Sequence, residues 1–389
     1  AGVSGAINAT IGIATKNKKA LFLPSIDKVI KDINNSEYLP YSPTPGLPEM
    51  RNLWKEKIIS DNPKINKEHL SLPMVTTGIT QGIDIAANLF SCEGDALLLP
   101  SLFWQNYAQI YSIKLGNKVY TYNQFNENNT YYLDNFKEVL YSIKESKISL
   151  ILNFPNNPTG YTPSTEELDE LTIIIDRFAK ENQEKQVIII CDDAYFGLFF
   201  EENHKTPSLS SIYKLETNSN CLIVKLDGIT KEYYGWGLRI GFITYYTGND
   251  NLREHLLEKT QGYLRSTTSS PCNLSQQIAI RLLKDKDTYI EKKYNDKIIH
   301  ERYIILKKSL DDYKLSDSVT VLPFNSGYFF TIKMPSKINA HDFRLKFLHD
   351  YKYGVYSMDN EHIRIAFSCL DKELIPDLVK NFKLCLNEF

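Results

Sequence analysis

Residues 148–197 read ISLILNFPNNPTGYTPSTEELDELTIIIDRFAKENQEKQVIIICDDAYFG. Two short runs rich in Ile, Leu and Val, at 148–153 and 187–191, flank a stretch of different period. Unbroken apolar runs of that length suit strands covered on both faces, as in a parallel sheet. Between them, Ser164 and Glu167 form a capping-box pattern, and Leu168, Leu171, Ile175 and Phe178 recur at helical spacing. Strand, helix, strand in series implies right-handed crossovers and a central α/β sheet.

The same alternation extends outward. Further apolar runs lie at 96–99, 222–225 and 240–244. The expected architecture is therefore α/β, a central mostly parallel sheet with helices on both faces. Beyond residue 288 the pattern changes. A charged helical stretch at 289–310 leads to strand-like pieces at 320–323 and 328–332, then a final helix ending near Phe389. This reads as a smaller α+β domain, 289–389, joined by an N-terminal arm, 1–44, beside a large domain at 45–288. Asn/Tyr richness around 120–132 reads as a surface loop.

Composition excludes several classes. The chain has 389 residues, 42% hydrophobic and 24% charged, with a formal net charge of -2. That balance offers no general attraction to nucleic acid or anionic lipid, and no apolar run is long enough to span a membrane. The first residues, AGVSGAINATIGIA, lack the basic and apolar regions of a secretory signal. Six scattered cysteines show neither metal-ligand nor disulfide-framework spacing. No metal site is expected, and a reducing cytoplasm fits best.

Four segments carry chemistry. Lys231, in DGITKEYYGWGLRIGF, follows a buried-strand pattern and precedes Gly235, Gly237 and Arg239. A lone lysine is usually a solvated charge. At the end of a buried strand it can instead lose hydration, which frees its amine for attack on a carbonyl. A nearby arginine fork suits a phosphate. Asp192 stands at the end of a second buried strand, where α/β proteins place ligands. It reads either as a turn or cap former or as a carboxylate that keeps a pyridinium nitrogen protonated, with Tyr195 in reach of the ring's phenolic oxygen. Asn157, in NFPNNPTG, can offer an amide N–H to a cofactor oxygen. At Gly78-Ile79-Thr80 small residues open a helix whose free N–H groups can hold a phosphate.

In that order and spacing, the segments resemble the class I/II aminotransferases of pyridoxal-phosphate (PLP) fold type I, over nearly the whole chain. The resemblance implies pyridoxal 5'-phosphate held as a Schiff base on Lys231, with Asp192 on the pyridine nitrogen and Asn157 and Tyr195 on O3′. It gives the phosphate to Thr80, Thr230 and Arg239 in the cup of Gly78 and Ile79. Trp104, in LLLPSLFWQNY, falls where aspartate aminotransferases stack a tryptophan on the cofactor ring, although a core or interface aromatic would read the same way. Tyr41 has the spacing of a tyrosine that reaches the neighbouring subunit's phosphate, with Tyr38 as its rival. Arg364, in HIRIAFS, matches the arginine that grips the substrate α-carboxylate. Arg265 matches one lent across a dimer to a distal carboxylate, or it makes a surface salt bridge. Gly12, in NATIGIA, falls in the N-terminal strand segment beside the substrate.

The chain departs from this family at Gly228, where a serine is usual, and at Asp227, whose side chain is expected to turn away from the phosphate. The resemblance implies ping-pong transfer of an amino group between an L-amino acid, aspartate or glutamate if Arg265 acts as a clamp, and a 2-oxo acid. A homodimer with shared sites is implied too. Aromatic amino acid transamination and lyase chemistry (β-elimination, C–S lysis or decarboxylation) use the same parts. A ligand-sensing regulator would need a helix-turn-helix, for which the sequence ahead of NATIGIA leaves no room.

Overall fold

The computed structural model describes residues 3–316 and 318–389. Its centre is a sheet of seven strands: β1 (Met74–Thr76), β2 (Ala96–Pro100), β3 (Lys118–Tyr122), β4 (Lys147–Asn153), β5 (Gln186–Asp192), β6 (Cys221–Gly228) and β7 (Gly241–Tyr246). They lie side by side in the order β1-β7-β6-β5-β4-β2-β3. Every neighbouring pair is parallel except those of β7, which runs antiparallel to both β1 and β6. The mostly parallel α/β sheet expected from the alternating runs is present.

Helices cover both faces. On one, α1 (Pro48–Asp61) and α3 (Thr165–Glu181) bury Met50, Trp54, Ile58, Leu168, Leu171, Ile175 and Phe178 against the sheet. On the other, α2 (Ile79–Phe90) and α4 (Asp250–Thr267) bury Ile83, Ala86, Leu256 and Leu264. The cap of α3 is as its sequence reads. Ser164 Oγ accepts from the Glu167 amide at 3.2 Å, and Glu167 Oε2 accepts from the Ser164 amide at 2.7 Å.

The charged stretch forms α5 (Lys286–Tyr313). A second sheet follows, made of β8 (Thr320–Val321), β9 (Phe329–Lys333), β10 (Tyr356–Ser357) and β11 (His362–Ala366), antiparallel throughout in the order β8-β9-β11-β10. Helices α6 (Ala340–Tyr351) and α7 (Leu374–Leu386) pack on it around Phe343, Phe347 and Phe382. Near the N-terminus, Ile7–Asn8 pairs in parallel with Tyr353–Gly354, and Ala9 accepts from the Ala366 amide at 2.8 Å.

Two expectations are corrected. Residues 120–132 are not a surface loop throughout. Residues 120–122 belong to β3, whose KVYTY alternation is a strand period, and Tyr122 and Tyr131 bury their rings beside Phe136 and Phe154. Strand β6 also runs past the expected 222–225 to Gly228. Its charged residues Lys225 and Asp227 are buried, 3.2 Å apart, and Asp227 accepts from Trp54 Nε1 at 2.8 Å. Paired ions can stay in a sheet interior that isolated charges could not enter.

Register places the site. Asn153 and Asp192 are direct neighbours at the ends of β4 and β5, and Asp192 faces Leu226 of β6. One short turn beyond β6, the Ile229–Glu232 helix lifts Lys231 over those strand ends.

Candidate active site

At the C-terminal ends of β4, β5 and β6 lies a cavity of about 330 Å³. The anionic end of any ligand would meet the start of α2, where Ile79 and Thr80 line the cavity. Gly78 precedes them with φ +74 and no side-chain cap, so the first amides of the helix are free to bind an anion. A Cβ at Gly78 would lie 2.5 Å from Arg239 Nη2, so glycine gives the arginine room, and the φ of +74 is itself one that suits glycine. Thr230 lines the same cavity. Asp227 contributes nothing here, since its side chain meets Trp54 on the opposite face of the sheet.

The central part is an amine facing a carboxylate. Lys231 Nζ sits 5.3 Å from the centroid of the Tyr195 ring. Burial lowers its amine to about 8, opposed by the Asp192 carboxylate and assisted by the Arg239 charge. Burial raises Asp192 to about 6, although the Tyr107 hydroxyl and the Ala194 amide both favour its charged form. These bonds measure 2.6 Å, Tyr107 to Oδ2, and 3.0 Å, Ala194 to Oδ1. Asn153 Nδ2 donates to the Asp192 carbonyl at 3.0 Å, and Asn153 Oδ1 accepts from the Asn157 amide at 2.9 Å.

The far end is held by Arg364 of β11. Its Nη1 donates to Asn157 Oδ1 at 3.0 Å and its Nη2 to the Thr10 carbonyl at 2.7 Å, while its Nε is buried without an acceptor. Burial pushes its pKa down. Trp104, Gly12 and Phe329 form the walls, with Trp104 set edge-on to Tyr107 at 5.6 Å. A Cβ on Gly12 would meet Phe329 at 3.2 Å and the Tyr195 hydroxyl at 3.4 Å.

The cavity thus gathers Gly12, Ile79, Thr80, Trp104, Asn157, Asp192, Tyr195, Thr230, Lys231, Arg239 and Arg364. Gly78 stands just behind it. Tyr41 and Arg265 are elsewhere: Tyr41 is 94% exposed, and Arg265 is exposed and donates to Ser269 on its own helix end at 2.9 Å. Sequence reading missed Tyr107, Asn153, Ala194 and Phe329. Asn153 had a signal, since it ends an apolar run as Asp192 does. Tyr107 had none beyond lying three residues after Trp104.

The residues present fit a phosphorylated pyridine aldehyde. There is an uncapped helix start with an arginine for the phosphate, an amine biased toward its neutral form for the carbonyl, and a buried carboxylate for a pyridine nitrogen. Among the described residues no group of three or more His, Cys, Asp or Glu could hold a metal ion, and no helix is long and apolar enough to cross a membrane.

The fold is fold type I of the pyridoxal-phosphate enzymes. An aminotransferase from Anaerococcus prevotii superposes with a TM-score of 0.87 at 23% identity, covering 99% of this chain and 92% of that one. The alpha-aminoadipate aminotransferase of Thermus thermophilus, complexed with N-(5'-phosphopyridoxyl)-L-leucine, gives 0.78 at 20% identity, over 99% and 93%. The chain belongs to the aminotransferase class I and II family, whose model matches residues 7–382. A probable aspartate/prephenate aminotransferase of Rickettsia conorii is 28% identical over 272 residues, which are 68% of this chain and 59% of that relative's length.

Proposed function

We propose that the protein is a PLP-dependent aminotransferase that moves an amino group between an L-amino acid and a 2-oxo acid by a ping-pong mechanism. The observation that carries this is one cavity holding Lys231, the buried Asp192 and Arg364 together. Lys231 would hold the cofactor covalently through Nζ. The phosphate would lie at Gly78, Ile79, Thr80, Thr230 and Arg239, and Asn157 and Tyr195 would face the phenolic oxygen. When bound, the cofactor supplies an electron sink for the substrate's Cα.

The chain's own groups do the rest. Arg364 binds the α-carboxylate and so fixes the amino acid's orientation. Lys231, once free, takes the proton from Cα as a general base, a role suited to an amine near 8. Asp192 keeps a proton at the pyridine nitrogen. Trp104 and Phe329 exclude water from the walls.

Aspartate or glutamate is the donor we favour, in keeping with the name of the Rickettsia relative. The protein would then work as a homodimer in the cytoplasm, with Tyr41 and Arg265 reaching the second copy's site. Their exposure away from their own chain's cavity supports this. The apolar walls favour a second reading, aromatic donors, in which Arg265 takes no part. The division into 45–288 and the two flanking pieces is part of the same proposal, supported by separate buried clusters on the large and small sheets.

The test is a single half-reaction without acceptor. The loaded protein, mixed with L-aspartate, L-glutamate or L-phenylalanine, should release one equivalent of the matching 2-oxo acid and no ammonia. Ammonia or carbon dioxide released over many turnovers would mark a lyase or decarboxylase instead. Arg265→Leu should depress the dicarboxylates and spare phenylalanine.

A further inference from the structure

Arg364 carries a permanent charge in a half-buried place. Its electrostatic neighbours are Tyr195, Tyr356 and Cys369 rather than a carboxylate. Two ring faces cover it instead. The guanidinium carbon lies 4.4 Å from the centroid of Phe329 and 4.9 Å from that of Tyr356. Phe329 comes from β9 and lines the cavity, whereas Tyr356 comes from the edge strand β10, directly opposite Arg364 in the ladder. Tyr356 is 42% exposed.

A guanidinium between two aromatic faces is held by their negative quadrupoles and cannot roll about its long axis. Its in-plane rotation is fixed by Asn157 Oδ1 and the Thr10 carbonyl. What remains available is the part of the guanidinium that lines the cavity. A carboxylate approaching in that plane meets donors whose entropy cost of ordering has already been met.

We infer that Tyr356 is a positioning residue for carboxylate recognition, holding the Arg364 guanidinium in the plane in which it binds the substrate. The inference rests on the reading of Arg364 proposed above. Tyr356 acts through its ring face, so phenylalanine should replace it and alanine should not. It tightens substrate binding and leaves the proton transfers at Lys231 alone.

The test uses the loaded protein and its Tyr356→Ala, Tyr356→Phe and Arg364→Leu forms. Two readouts are taken: steady-state kinetics, and calorimetric titration with 3-phenylpropanoate, a carboxylate without an amine. Tyr356→Ala should raise the amino acid KM and weaken 3-phenylpropanoate roughly 3- to 30-fold, with kcat within about twofold. Tyr356→Phe should match the parent. An unchanged KM and titration for Tyr356→Ala, or a Tyr356→Phe as weak as Tyr356→Ala, would overturn the inference. Loss of 3-phenylpropanoate binding in Arg364→Leu alone would leave the Arg364 reading standing and sink only Tyr356. An Arg364→Leu protein that binds normally would overturn both.

Discussion

The hydroxyl of Tyr107 donates a 2.6 Å hydrogen bond to Oδ2 of Asp192, in a place where both side chains are buried. With the Ala194 amide on Oδ1, the carboxylate is held by two donors and turned toward the cavity. Hydrogen bonds to a charged group are worth about 1.5–3 kcal/mol, more than neutral ones. Tyr107→Phe removes one of the donors that oppose the effect of burial on Asp192, so its pKa should rise further above about 6. Cofactor affinity at neutral pH should then fall by roughly tenfold, and the pH below which the cofactor is lost should move upward. Fluorescence titration with pyridoxal 5'-phosphate across pH checks both.

A second expectation concerns Lys231. Its pKa is lowered to about 8, so the fraction of neutral, nucleophilic amine grows as pH rises toward that value and levels off above it. The rate at which cofactor-free protein captures pyridoxal 5'-phosphate should follow that curve. An ordinary lysine would still be gaining rate beyond pH 10. Stopped-flow absorbance between pH 6 and 10 distinguishes the two profiles.

Gly160 closes the N-P-T-G turn at φ +74, and a Cβ there would lie 2.0 Å from the Phe329 carbonyl oxygen. No side-chain rotation relieves a clash with backbone. Gly160→Ala should cost more than about 3 kcal/mol of stability. Because Phe329 also packs on Arg364, the variant's substrate affinity should fall as well. Thermal unfolding and KM are the measurements.

Beneath the site, Lys57 of α1 pairs with Glu232 at 2.8 Å and with Asp61 at 2.6 Å. Glu232 is buried and adjoins Lys231. Lys57→Met removes that carboxylate's ion-pair partner and leaves it only the more distant Lys292 charge, so it should destabilise by about 3 kcal/mol. Adding Glu232→Gln should recover much of the loss. A double-mutant cycle by urea unfolding measures the coupling.

Much of this was legible because three of the proposed site residues in the middle of the chain lie at or just past the end of an apolar run. Asp192 terminates β5, Asn157 follows β4, and Lys231 follows β6. A strand covered on both faces announces itself by composition, and its end marks where ligands lie. What stayed hidden depends on partners far away in sequence. Tyr107 looks like any core aromatic until the fold brings its hydroxyl to Asp192 at the end of β5. Lys225 and Asp227 contradict the apolar pattern of β6, and besides each other it is Asp193, Lys57 and Trp54, from other elements, that make their burial tolerable. Strand β10 has two residues, too short to show a period, so the place of Tyr356 beside Arg364 could not be read.

The most direct measurement is a covalent trap. Purified protein is incubated with pyridoxal 5'-phosphate, reduced with borohydride, digested and mapped by peptide mass spectrometry. The phosphopyridoxyl mass should sit on the peptide carrying Lys231, at one equivalent per chain. It should be absent from Lys231→Ala and abolished when an amino acid is added before reduction. A label spread over surface lysines, or unchanged in Lys231→Ala, would contradict the assignment of Lys231 and with it the catalytic reading of the cavity.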